Sequence, residues 1–239
     1  MAVEYVTGSI IEYGADAKSY VVDAPANVQE NDIIVAVWTS ESTDITTHTW
    51  PSGFTQWAVN SPLGSSYCSI RVGWRRATDS EPATYTFSHS NRSEQHAGIV
   101  LAAYRGAKTS DDPTDGEPIS NTDYITSDLN IIAAGITLTQ EALVLFCSGW
   151  WDSPSTIDTY PSGFTYRGQG RDGNHAAAIA DKSFSSGATG DQTGTFATYD
   201  VRDKHAFLVP LVAAAAGAAS LCVPSSLDGG LYERMAGGL

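Results

Sequence analysis

WPSGFTQW at residues 50–57 and YPSGFTYR at residues 160–167 share the word PSGFT, 110 positions apart. Proline presets a chain for a turn, and glycine accepts the positive φ that a type II or related turn demands. Phenylalanine then enters the core as the next strand begins. None of these residues is a good acid, base or metal ligand, so the word reads as a turn and not as a site used twice. Pro51, Gly53 and Phe54, and Pro161, Gly163 and Phe164, are expected to anchor equivalent turns.

The likeness extends on both sides of the word. DIIVAVW (32–38) precedes the first copy and ALVLFCS (142–148) the second, at the same offset of 110. TYTF (84–87) and TGTF (193–196) follow, then HAGIVLA (96–102) and HAFLVPL (205–211), each pair offset by 109. Conserved order and spacing over such a length indicate an internal repeat, placed at about residues 17–107 and 125–214.

Each repeat reads as β-structure. SIRVGWRR places Ile70, Val72 and Trp74 on one face and Arg71 and Arg75 on the other, and IIAAGITLTQ places Ile132, Ile136 and Leu138 together. IIVAV, GIVLAAY, ALVLF and FLVPLV are apolar on both faces, as central strands of a sandwich are. Pro210 in the last run is a warning, because proline suits sheet edges and bulges. The expected class is all-β: an antiparallel, jelly-roll-like β-sandwich over residues 1–214, with about six strands per repeat. Each repeat is short for a core of its own, which favours one sandwich built by both.

Residues 215–239 differ. The stretch AAAAGAASLCVPSSLDGGLYERMAGGL (213–239) loses the alternation, and from residue 215 it is expected to form an extended C-terminal arm held against another chain. Leu221, Leu231, Tyr232 and Met235 are its candidate anchors. The competing arrangement folds this arm back onto its own sandwich.

Composition narrows the function classes. A net charge of −14 and a pI near 4.5 argue against binding nucleic acid through phosphates and against an anionic membrane surface. Cys68, Cys147 and Cys222 lack metal or redox spacing, and their odd number argues against a complete disulfide framework. No basic region followed by an apolar one opens the chain, so folding in a reducing cytoplasm is expected.

Signals for catalysis are weak. No GxSxG, HExxH or P-loop pattern occurs. His96 and His205 occupy matching positions and could line one site, or could repeat one structural role. The acid pairs Asp79 with Glu81, Asp111 with Asp112, and Asp115 with Glu117 fall in turn-like stretches. Residues 111–117 could offer oxygens to calcium but lack EF-hand spacing, so neither metal nor cofactor is expected. Trp150 and Trp151 are placed in a loop, as a contact platform or as a lid on the core. Arg71, Arg75 and Arg76 are read as a basic outer strand face.

The order DIIVAVW, Pro51 to Thr55, Ser80 to Phe87 and Ala97 to Ala107 resembles a class of repeated β-sandwich proteins of tailed-bacteriophage virions. ALVLFC, Pro161 to Thr165, GATG (187–190) and AFLVPLVA extend the resemblance through the second repeat. It implies a non-enzymatic virion protein, of the capsid decoration or cement type or a tail-fibre accessory, assembled in the host cytoplasm. Its partners would be major capsid or tail subunits and copies of itself, with no nucleic acid and no membrane. A receptor- or carbohydrate-binding module using Trp38, Trp50, Trp150 and Trp151 on a glycan is the alternative, and a carboxylate-based glycan hydrolase a distant third.

Overall fold

A computed structural model describes residues 2–11, 17–40, 47–60, 68–90, 96–115, 119–123, 129–151, 156–172, 175–197 and 202–215. Every regular element among them is a β-strand, and every pairing is antiparallel. The first half contains β1 (Glu4–Ile11), β2 (Ser19–Asp23), β3 (Ile33–Ser40), β4 (His48–Thr49), β5 (Thr55–Asn60), β6 (Ser69–Arg76), β7 (Thr84–His89) and β8 (Ala97–Arg105). They form a five-stranded sheet, β1-β8-β3-β6-β5, and a three-stranded sheet, β2-β7-β4. First strand pairs with eighth, second with seventh and third with sixth. That is a long hairpin rolled into two sheets, a jelly roll.

The second half contains β9 (Ile119–Asp123), β10 (Asn130–Ala133), β11 (Thr137–Leu138), β12 (Ala142–Trp151) and β13 (Ile157–Thr159). It continues with β14 (Thr165–Asp172), β15 (His175–Phe184), β16 (Gly187–Ala188), β17 (Gln192–Phe196) and β18 (Arg202–Val212). Its sheets, β9-β18-β12-β15-β14 and β10-β17-β13, run through the same sequence of positions, with a small β11-β16 ribbon added.

The two five-stranded sheets lie back to back. Ile33, Val35, Val37, Val72 and Val100 meet Leu145, Cys147, Ile179, Phe207 and Val209 in a central core. Alternate residues turn outward: Ile34, Ala36 and Trp38 into the first jelly roll, Val144, Phe146 and Trp150 into the second. Both faces of β3 and β12 are therefore covered, which is why their sequences are apolar throughout. Across the centre β3 lies on β12, β1 on β14, and β5 on β9. The broadest meeting is β8 on β14 and β15, and β18 makes no comparable approach to β5 and β6, so the two sheets do not meet symmetrically.

Several sequence expectations need adjustment. There are eight equivalent strands in each half, not six: β1 lies before residue 17, and β4 and β13 are too short to show alternation. Both halves share the central core, but each also closes a three-stranded layer of its own, giving four layers. In β10 it is Ile131 and Ala133 that face inward, because the strand stops before Gly135, which packs directly on the Gly190 backbone. Ile136 and Leu138 rejoin the core after that break. Pro210 sits inside β18, paired with Val144 on one side. Its carbonyl accepts from Asp115 N (3.3 Å) on the other side, beyond the last residue paired with β9. The missing N–H points the same way, so no ladder bond is lost.

Candidate functional site

The two ends of the molecule differ in chemistry. At one pole lie the PSGFT turns, which close in the same way. Phe54 N donates to Pro51 O at 3.1 Å with Gly53 at φ 82°, and Phe164 N to Pro161 O at 3.0 Å with Gly163 at φ 79°. A cation from the neighbouring strand holds each turn: Arg75 donates to Ser52 O (3.0 Å) and Lys182 to Ser162 O (2.8 Å). Each also sits over the phenylalanine of its turn, Arg75 over Phe54 and Lys182 over Phe164. Sequence spacing hid this pair, because Arg75 follows Gly53 by 22 residues and Lys182 follows Gly163 by 19.

Both described ends of the chain belong to this pole. Ala213 bridges to Ala107, and Ala214 N donates to Gly106 O (2.8 Å). Ala2, Val3, Glu141, Leu143, Ser183 and Ala215 line a recess of about 420 Å³ there. Leu221, Leu231, Tyr232 and Met235 lie outside the described residues.

The opposite pole, where β3 and β12 end, gathers all five histidines. In the first jelly roll, Ser40 Oγ lies 2.9 Å from His48 Nε2, and Arg71 donates to Ser69 Oγ at 2.7 Å. His89 Nε2 donates to Ala17 O at 2.9 Å and lies 3.2 Å from Tyr20 Oη. Burial, then the Arg71 charge and His89, push His48 down to about 2. Burial also lowers His89, against the opposing Ala17 carbonyl. In the central layer the His96 ring lies 6.4 Å from that of His175, a contact the sequence pairing of His96 with His205 did not anticipate. His205 is fully buried and lowered to about 4 by that burial.

His48, His89 and His205 are therefore neutral packing and hydrogen-bonding groups at neutral pH, poor as bases. Cys68 and Cys147 are buried, and desolvation raises both thiols, so neither carries a thiolate nucleophile. Among the described residues no three histidine, cysteine or acidic side chains gather where they could hold a metal ion.

The acids and aromatics are placed differently from their sequence reading. Glu81 is raised by burial, but bonds from Tyr85 and Thr78 and the Arg75 charge outweigh this and hold it low. Asp112 accepts from Trp57 Nε1 (2.9 Å) and Thr114, and Asp115 from Thr139 and Gln140. Arg71 and Arg75 do not form an outer basic face. Arg71 is 7% exposed, and Arg75 is paired with Glu81 at 2.9 Å, because the three-stranded sheet covers that side of β6.

Trp150 is not in a loop. β12 continues through it, and its fully buried ring packs on Phe196 at 5.2 Å. Trp151 is the half-buried last residue of the strand. Trp38 is likewise fully buried, and Trp50 packs between Trp38, Phe54 and Phe87. The four tryptophans therefore make no exposed platform for a sugar.

Comparison of the chain with family models, curated proteins and solved structures gives no match.

Proposed function

We propose that this chain is a non-enzymatic structural component of a bacteriophage particle, a capsid decoration protein that stabilises the shell through subunit contacts. The observation that carries this reading is the separation of the molecule into two poles on a shared, fully packed core. Ala215, the last described residue, lies beside the N-terminal strand and the turns, whereas β3 and β12 end at the other pole. Residues 216–239 thus continue from one end, suited to tethering, and the other end is left for display. Neutral histidines and protonated thiols support a scaffold in preference to a catalyst. The motif resemblance supplies the particle, with capsid or tail subunits and further copies of this chain as partners.

The test is particle assembly with the full chain and with residues 218–239 deleted. The full chain should copurify with particles at fixed stoichiometry and raise their resistance to heat or osmotic shock. The truncated chain should keep its far-UV β spectrum yet fail to load. Unchanged loading would refute the tether, and absence of the full chain from particles would refute the role itself.

A further inference from the structure

In both halves one pairing of the rolled hairpin is missing. Among the described residues β4 does not join β5, and β13 does not join β14, so each jelly roll leaves a seam between those strands. In the first half the seam is satisfied internally: Trp50 donates Nε1 to Gln56 Oε1 at 3.2 Å, and Val59 follows on the same strand. At the positions 110 residues later stand Tyr160, Tyr166 and Gln169. There the seam holds a groove of about 510 Å³, lined by Ile10, Ile157, Tyr160, Tyr166, Gln169 and Arg171.

Three features of this groove point to a ligand. Tyr166 is 51% exposed, Ile10 of β1 is 49% exposed beside it, and the Tyr160 and Tyr166 rings lie 5.2 Å apart at 39°. Tyr160 Oη is closed off from solvent without a hydrogen-bond partner among the described residues. The amide of Gln169 makes no hydrogen bond to the described residues and stays open to the groove. Buried polar groups are normally satisfied, so the Tyr160 hydroxyl is an exception, while the open Gln169 amide beside the exposed Tyr166 ring is free to bond a ligand.

The partner's chemistry follows from the lining. An exposed aromatic face takes the C–H face of a sugar ring, and an amide matches hydroxyls that both donate and accept. A peptide strand fits less well, because the β14 edge is irregular between Tyr166 and Gly168. A net charge of −14 disfavours an anionic sugar.

We propose that the seam between β13 and β14 binds a neutral saccharide, its ring on Tyr166 and its hydroxyls on Gln169. This site does not depend on the particle role. The full chain would be titrated with soluble neutral oligosaccharides of glucose, galactose, mannose and N-acetylglucosamine, and with uronate oligosaccharides, by ligand-observed NMR. At least one neutral sugar should bind. Tyr166→Ala should weaken it about tenfold or more and Tyr166→Phe by no more than about threefold. Gln169→Leu should also weaken it, whereas Val59→Ala, in the first-half seam, should leave it unchanged. Thermal unfolding verifies that each variant is folded, and Tyr166→Phe preserves the ring if Tyr166→Ala is not. Absence of neutral-sugar binding at about 10 mM, a level that detects even millimolar dissociation constants, overturns the proposal. So does preference for uronates, or binding indifferent to both Tyr166→Ala and Gln169→Leu. Self-association lost in Tyr166→Ala without any sugar binding would assign the seam to a second copy instead.

Discussion

At the scale of single residues, PSGFT works because each letter has a separate task. The glycine takes φ 82° or 79°, where other L residues are strained, and the phenylalanine is pinned between core and cation. The histidines matter for the opposite reason, as polar groups kept neutral. His48 titrates at about 2 and His205 at about 4, both below the ordinary histidine value, so the unfolded chain binds protons that the folded chain refuses. Their stabilisation is complete above about pH 6.5 and is lost as pH falls from there towards the folded values. Between pH 7 and pH 5 each such imidazole should cost about 2 kcal/mol. Urea unfolding at the two pH values measures this, and His205→Gln should flatten the dependence. Equal stability at both would show that the imidazoles are not held neutral.

At the scale of elements, the strands touch where side chains shrink. A Cβ at Gly149 of β12 would fall 2.2 Å from Thr39 Cγ2 of β3, and one at Gly98 of β8 would meet the backbone of Gly170 and Ala176. Gly149→Ala should therefore destabilise by about 1–3 kcal/mol through overpacking. Thr39→Ser removes the clashing methyl and keeps the hydroxyl that bonds Gly98 O at 3.2 Å. The double variant should recover part of the loss, giving a coupling above about 0.5 kcal/mol in a denaturation cycle. Strict additivity would mean that the two sheets do not meet there. The strands themselves were legible from alternation and from apolar runs. Trp150 was not, since nothing in SGWWDS marks where β12 stops and a single buried strand position looks the same as a loop anchor.

At the scale of the whole molecule, the central core decides how it unfolds. Leu145 is fully buried, and it packs in a cluster to which both halves contribute. Leu145→Ala should cost about 2–5 kcal/mol and shift one cooperative transition of the entire body. Calorimetry would show this. Two separate transitions, with only the second moved, would mean that the halves fold independently. The candidate saccharide seam belongs to this scale as well. It combines Ile10 of the first half with Tyr166 and Gln169 of the second, residues too far apart in the chain for any local pattern to unite them.

The sequence by itself determined the all-β class, the central strands and the equivalence of the PSGFT turns. These depend on local rules: the period of a strand and the φ of a glycine. It could also pair residues at a constant offset, which is how His96 and His205 were matched. Only the tertiary structure decided that two jelly rolls stand back to back and that Arg71 and Arg75 of β6 face inward. Only it showed that Trp150 is core and that Tyr160, Tyr166 and Gln169 share an unfilled seam. Those outcomes depend on which face of one sheet another sheet covers, a choice made by packing between strands distant in sequence. PSGFT marks the framework twice over, and the two halves diverge in what their seams leave unsatisfied.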